Sequence, residues 1–452
     1  MNKWLKILPY LLAFVFLSQC KKDETDKVNI PDNFLRVLIQ KGIDTNGDGN
    51  ISYSEAAAVT DLDINGNNLS DITGIESFVN LETFFCFFNI LSSLDLSKNI
   101  SLEFLDCGQN RLTALNVSNN VALTNLRCGT NQLESLDLSK NTTLKELVCW
   151  QNQLTSLDVS KNPALTLLNC NENRLTSLDV SHNSDMTFLD CATNQLTTLT
   201  FSDNSALDYL ACGNNQLTDL DVSGCNALKV LNSMQNRSLG TLDLSSNLQL
   251  ETLYCGEQPL TTLDVSNHPF LKDLNCSHSG SLETLYLAGD TSLIYLDCAG
   301  QKISNLDVTG CLELRYLTCE GLKMTNLNLS HNTNLIGIIC NFSDLTSLDL
   351  SKNLTLRSLA CNNCKLTNLD LTHNTALGVL NCGANLFTNL DLTKNTGLID
   401  LSNISPYNIR LFINGMPSLN KVCVWVMPFP PTGLTIDTSG SPNVYFSTDC
   451  SI

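Results

Sequence analysis

A cysteine returns every 21 or 22 residues through most of this chain. Cys86, Cys107, Cys128, Cys149, Cys170, Cys191 and Cys212 are followed, after Ser233 takes one place, by Cys255, Cys276, Cys298, Cys319, Cys340, Cys361 and Cys382. Each stands in a frame such as Leu123-x-x-Leu126-x-Cys128-x-x-Asn131-x-Leu133. A fixed period of this length admits few folds. Every coil must stack on its neighbour in the same register, so the array grows along one axis instead of closing into a globule. One-residue insertions after Ser233 and after Cys276 fall in turns and leave the period intact.

The period also decides how the cysteines are read. Twenty cysteines would suggest a disulfide scaffold in a short secreted chain, but fourteen of these occupy one structural register. Equivalent inward positions on neighbouring strands lie about 4.8 Å apart. A disulfide needs Cβ atoms about 3.5–4.5 Å apart, and a row is not a tetrahedral metal site. The thiols are therefore expected as small buried hydrophobes. Outside the ladder, Cys423 alternates away from the core and Cys450 lies close to the C-terminus. A Cys423–Cys450 disulfide would fold the tail back as a cap. Cys225 and Cys311 occupy turn asparagine positions four coils apart, too far to pair.

The N-terminus reads as a targeting segment. Lys3 and Lys6 precede an apolar run from Ile7 to Leu17, of signal-peptide length and too short to span a bilayer. Leu17-Ser18-Gln19-Cys20 resembles a bacterial lipobox, with Gln19 the departure, and implies lipid on Cys20. Lys21-Lys22-Asp23-Glu24 resembles the export signal of surface lipoproteins in Bacteroidetes. The expected location is the outer membrane, lipid-anchored and exposed on the cell surface.

Residues 31–60 form a separate unit. Pro31 and the run from Asn33 to Ile39 predict a short amphipathic helix. Residues 44–55 then match every specified position of the calcium-loop template D-x-[DN]-x-[DN]-G-x₅-E. Asp44, Asn46 and Asp48 would supply side-chain oxygens and Asn50 its carbonyl. Ser52 would act directly or through water, and Glu55 would bind bidentately. A lone loop of this kind, at the edge of a solenoid, is expected to hold one structural Ca²⁺ and to order a cap over the first coil.

The expected organisation is a signal peptide over 1–19, a tether over 20–30, the EF-hand-like cap over 31–60, coils over 61–425 and a C-terminal cap over 426–452. Counting the later frames Leu401-Ser402-Asn403 and Val422-Cys423-Val424 gives 18 inward strands. Stacked, they would make a rod about 80 Å long. Each coil has a second half, as in Leu136-Asp137-Leu138-Ser139-Lys140-Asn141, whose alternation predicts another short extended segment. The fold is therefore mainly β, with a small helical N-terminal cap.

The L-x-C-x-x-N-x-L-T-x-L-D-[LV]-S-x-N coil resembles the leucine-rich repeats of internalins, above all the type that carries a cysteine ladder. The chain is also similar to Bacteroidetes lipoproteins that join a calcium-loop cap to such coils. The resemblance runs from residue 31 to 450. It implies a right-handed leucine-rich-repeat solenoid of about 18 coils, surface attachment, and recognition of a protein or a glycan.

Two further rows read as structural. Asn89, Asn110, Asn131, Asn152, Asn173, Asn194, Asn215 and Asn236 are placed to bond turn backbone. Beyond Ser233 this row decays to Gln258, Ser279, Gln301, Leu322 and Ser343, recovering at Asn385. The Asp95, Asp137, Asp158, Asp179, Asp221 row is expected to accept hydrogen bonds from nearby Ser or Thr.

Candidate recognition residues are the outward positions flanking each inward Leu and Cys. In register they give Phe188 beside Tyr209 and Tyr295 beside Tyr316. Trp150 and Tyr254 lie on the same face, with Phe85 and Phe87 near its N-terminal end. Asp106, Asn169, Asp190, Asn275 and Asp297 surround them and suit a glycan or a basic protein surface. A net charge of −19 disfavours nucleic acid, which demands a basic stripe. With no G-x-S-x-G, H-E-x-x-H or phosphate loop, the expected function is non-catalytic: a monomeric cell-surface binding or adhesion module. The alternatives are a structural envelope spacer without a specific ligand, or a polysaccharide-capture accessory of an uptake system.

Overall fold

The computed structural model describes residues 26–399 and 411–450; the Cys20 lipidation motif and the Leu401 frame lie outside them. Its core is one parallel sheet of 18 strands, with about as many coils. The sheet starts at Asp61–Asp63, continues through Thr83–Phe85, Phe104–Asp106 and Asn125–Arg127, and steps once per coil to Val379–Asn381. Each three-residue strand buries its middle residue. Thus Phe84, Leu105, Leu126 and Leu147 stand opposite one another down the axis. The cysteine directly after the strand is buried as well, and its N–H donates to the next coil, as Cys128 N does to Val148 O at 2.8 Å.

The ladder thiols are free and buried. Burial pushes them well above the ordinary thiol range, to about 12 at Cys212, Cys255 and Cys382, so they are inert hydrophobes and not nucleophiles. After each cysteine the chain turns sharply. The residue before the first-row asparagine takes a left-handed conformation, φ +48° at Gln109 and +52° at Thr130. Such a conformation costs about 1–2 kcal/mol for a residue with a Cβ. The asparagine offsets it. Asn131 Nδ2 donates to Cys107 O and Cys128 O, both at 3.1 Å, and its Oδ1 accepts Leu112 N–H at 2.9 Å. One side chain thus ties three backbone groups across two coils.

A second buried row fixes the opposite turn. Asn99, Asn120, Asn141, Asn162 and Asn183 are wholly buried, and each donates to carbonyls of the preceding coil. Outside them the aspartate row acts as local caps. Asp95, Asp137, Asp158 and Asp179 each accept the N–H of the Ser two residues on, at 2.9 Å. Bonds from the N–H and the hydroxyl of that serine, the hydroxyl foremost at Asp179, hold the carboxyls below their ordinary range. The second half-coils form only short parallel sheets: Ser177–Asp179 with Thr198–Thr200, Thr262–Asp264 with Thr284–Tyr286, and a final three-stranded group.

Two expectations about the ends need correction. Val422 is not an inner-sheet residue. Lys421–Cys423 pairs with Asn389–Asp391 and Tyr445–Ser447 in the outer sheet, while the last inner strands are Leu411–Phe412 and Ile436–Asp437. The final coils are longer than 21 residues, Leu411 standing opposite Leu380 and Ile436 opposite Leu411, so a fixed period mis-registers them. Stacking consequently runs past residue 425 into the stretch read as a terminal cap. Cys423 and Cys450 meet there as a disulfide, Cα atoms 5.7 Å apart.

At the other end, the folded part begins before residue 31. Val28 N–H donates to Ile51 O at 2.9 Å, and Lys27 pairs with Ser52 in an antiparallel bridge. Gly74 (φ +102°) lies so close to Ile30 and Asn29 that a Cβ there would meet them within 2.8–2.9 Å. The helix Asp32–Gln40 starts after Pro31 and buries Phe34, Val37 and Leu38, spaced i, i+3, i+4. Phe34 reaches Phe78 of the first coil, ring centroids 6.5 Å apart, so the cap seals the open end of the core.

Candidate binding surface

The inner sheet presents two residues per strand outward, and its rings pair across neighbouring coils. Phe188 and Tyr209 stack with centroids 4.5 Å apart and planes 7° off parallel; Tyr295 and Tyr316 stack at 4.9 Å and 4°. The spacing is that of the strands themselves, so the parallel ladder sets it. In each pair one face of each ring is covered by the other. Tyr295 and Tyr316 remain 47% and 39% exposed.

The other two rings stand apart from these pairs. Tyr254 is half-buried and donates its Oη–H to Asp273 Oδ2 at 2.9 Å; burial first and that bond next push its hydroxyl up to about 12. Trp150 lies over Gly129, where its Nε1 would be 2.6 Å from any Cβ, so only glycine fits beneath the indole. Leu167 sits between the Trp150 coil and Phe188, and Val230 follows Tyr209. Leu167, Phe188, Tyr209 and Val230 are consecutive register partners, which makes a four-coil apolar ridge.

A second aromatic patch includes two residues the sequence reading left out. Phe85 and Phe104 meet at 5.0 Å, and the Arg127 guanidinium stands 5.4 Å from the Phe104 ring centre while reaching Glu146 at 3.4 Å. The signal was available: Phe104 and Arg127 flank the inward Leu105 and Leu126.

The polar residues around the rings are mostly engaged by their own turns. Asp106 accepts Gly108 N–H at 3.0 Å, Asn275 accepts Ser277 N–H at 3.1 Å, and Asp297 accepts Ala299 N–H at 3.1 Å. Asn169 accepts Asn171 N–H, and Asp190 takes bonds from Asn171 Nδ2 and Ala192 N–H. These groups keep their place on the outward face, half-buried like Phe188 and Tyr209, and each also caps its own turn.

On the other side, Thr197, Thr200, Ser202, Asp219, Asp221 and Gly224 line an open notch of about 290 Å³. Three of its side chains are bonded internally, Thr197 Oγ1 to Thr176 O, Ser202 Oγ to Ser181 O and Asp221 Oδ1 to Ser223 N–H.

The calcium-type loop turns on two glycines. Gly47 and Gly49 take φ +71° and +80°. Asp44 accepts the N–H groups of Gly47, Asp48 and Gly49, Asn46 Oδ1 accepts Asp48 N–H, and Asp48 Oδ1 accepts Asn50 N–H. Glu55 instead closes a capping box. Its Oε2 accepts Ser52 N–H and Oγ–H at 2.9 and 2.8 Å, and its Oε1 accepts from Thr45 and Asn46. Ser52 foremost holds the Glu55 carboxyl down at about 2. Among the described residues no three His, Cys, Asp or Glu side chains gather as a metal cluster. The donor types still fit a hard cation, because amide, backbone and carboxylate oxygens alternate along the loop; bidentate binding would require Glu55 to leave its cap.

One short parallel strand per coil, buried leucines and asparagine ladders together define a leucine-rich-repeat solenoid. No protein-family model matches the chain, and no curated protein matches it. Among solved structures, the functional domain of InlJ from Listeria monocytogenes, which includes a cysteine ladder, is 32% identical; the match covers 73% of this chain and 72% of that one, with a TM-score of 0.55. The chain belongs to the internalin-type leucine-rich-repeat family. A leucine-rich-repeat protein of Leptospira interrogans (22% identical, 74% of this chain and 92% of that one, TM-score 0.62) shares the fold. So does YopM from Yersinia enterocolitica (21%, 86% and 91%, TM-score 0.55).

Proposed function

We propose that this protein is a non-catalytic binding module that takes a protein partner on the outward face of its inner sheet. Anchored by lipid on Cys20, it would be displayed from the outer membrane at the cell surface. The observation that carries the reading is the pair of ring stacks, Phe188–Tyr209 and Tyr295–Tyr316, held by a rigid ladder. Rigid aromatic area with a polar tip is what protein interfaces concentrate at their centres. The plant receptor RGFR1, 16% identical here, is solved in complex with RGF2, so the same architecture accommodates a peptide ligand elsewhere.

The test uses soluble protein beginning at residue 21, because residues 26–30 belong to the folded cap. Labelled protein is applied to host and bacterial surfaces treated with protease or with periodate. Loss of binding after protease and survival after periodate supports a protein partner. The reverse result identifies a glycan, and no binding to any surface favours the spacer role.

We also propose that residues 44–55 hold one structural Ca²⁺, through Asp44, Asn46, Asp48, the Asn50 carbonyl, Ser52 and Glu55. Bound metal would fasten the cap onto the first coil and stabilise the folded state by mass action. A chelator should lower the melting temperature of the wild type and leave Asp44→Asn/Asp48→Asn unmoved; an unchanged wild-type melt removes the metal from the account.

A further inference from the structure

The second asparagine row is a row of donors. At Asn247, Nδ2 donates to Val222 O and Cys225 O, both at 2.9 Å, and at Asn332 to Val308 O and Cys311 O at 2.8 and 2.9 Å. The backbone offers this position carbonyls. Two consecutive places in the row hold titratable side chains instead, His268 and Asp290, which are 1% and 0% exposed.

His268 fills its place with both ring nitrogens against carbonyls: Nδ1 is 2.7 Å from Val265 O and Nε2 is 3.2 Å from Leu244 O. Carbonyl oxygens only accept, so the ring satisfies both contacts only when each nitrogen bears a hydrogen. Asp290 uses Oδ1 to accept His268 N–H at 3.0 Å, while Oδ2 is buried with no hydrogen-bond donor. By the register of Asn247, which also closes a 22-residue coil, the second atom of this side chain faces the carbonyls of Val265 and His268. An ionised oxygen there would be a buried charge beside acceptors; a protonated one would donate as the amide does.

We propose that Asp290 forms a proton-dependent joint in the solenoid, replacing an asparagine only while it carries a proton, so that losing the proton loosens the coils between Leu244 and Cys311. Other titratable groups add to the effect. Asp264 lies on the coil of His268, and Asp307 and the buried Cys311 thiol lie on the following coil; Asp264 disfavours charge on Asp290, and Asp290 in turn helps raise Cys311.

Burial lifts Asp290 to about 7, far above its ordinary range. An unfolded aspartate titrates near about 3.9, so between about pH 4 and 7 the folded chain holds a proton that the unfolded chain releases. The joint is therefore fully stabilising below about pH 4, weakens as pH rises to about 7, and changes no further above.

Asp290→Asn, which restores the amide, tests this. The melting temperatures of wild type and Asp290→Asn should coincide near pH 4 and separate progressively up to about pH 7, the variant melting higher, with a constant gap beyond. Amides of residues 265–293 should exchange faster in wild type than in the variant at pH 8. Infrared difference spectra supply a readout independent of stability: a protonated-carboxyl band present at pH 5, absent in Asp290→Asn, and titrating near pH 7. Parallel melting curves from pH 4 to 8, or a missing carboxyl band at pH 5, would overturn the joint.

Discussion

At the scale of single residues, this fold rests on side chains that close backbone hydrogen bonds. Asn141 is wholly buried and donates to Val117 O at 3.1 Å and Asn120 O at 2.9 Å. Asn120 N–H and Leu123 N–H also reach these two carbonyls, so Asn141→Ala removes one of two donors from each, and a loss of about 1–3 kcal/mol is expected in urea unfolding. The one break in the cysteine ladder has a similar explanation. Gln258 stands where the row has asparagine, and its longer side chain reaches Ser233, donating to Ser233 O and, at 2.9 Å, to Oγ. Serine is therefore accommodated at 233. Cys149→Ser should cost about 1–3 kcal/mol, because a buried hydroxyl gains no comparable partner, while Ser233→Cys should destabilise by removing one. Equal, negligible effects in both variants would remove this pairing as the reason for the break.

At the scale of elements, the repeats were legible and the ends were not. A 21-residue period places every inner strand from Thr83–Phe85 to Val379–Asn381, because parallel stacking forces equivalent residues into line. It fails at Val422 because the last coils lengthen, and the apolar-x-apolar pattern alone does not say which of the two sheets a segment joins. Asp106, Asp190 and Asp297 were legible only in part: alternation puts them on the outward face but does not reveal that an oxygen of each also caps the next turn. The ring pairs were legible because register alone brings Phe188 to Tyr209 and Tyr295 to Tyr316. The cross-link at the C-terminal end has a measurable role. Cys423 and Cys450 are 27 residues apart, and closing a loop of that size contributes about 3–4 kcal/mol in the chain-entropy model. Reduction, or Cys423→Ser, should expose the segment after Asp391 to limited proteolysis while the coils before it stay protected. A cleavage pattern unchanged by reduction would show that packing alone holds this end.

At the scale of the whole molecule, each coil touches only its neighbours, so stability is a sum of local interfaces and the ends govern fraying. The N-terminal cap, with Phe34 against Phe78, and the C-terminal disulfide close the two exposed faces of the same core. Between them the thiols face inward and are chemically silent, so the proposed recognition falls to the sheet's outward face. The net charge of −19 suits a basic protein surface and should make association faster at low salt. The most direct measurement compares partner retention by immobilised wild type with three variants: Phe188→Ala/Tyr209→Ala, Tyr295→Ala/Tyr316→Ala, and Tyr286→Ala, whose exposed ring lies on an outer strand. Surface proteins released from target cells are applied, and those retained are quantified. The account predicts that what wild type and Tyr286→Ala retain is lost from at least one inner-sheet double variant, with all variants melting within a few degrees of wild type. Retention unchanged by both double variants and abolished by Tyr286→Ala would place recognition on the opposite side and contradict it.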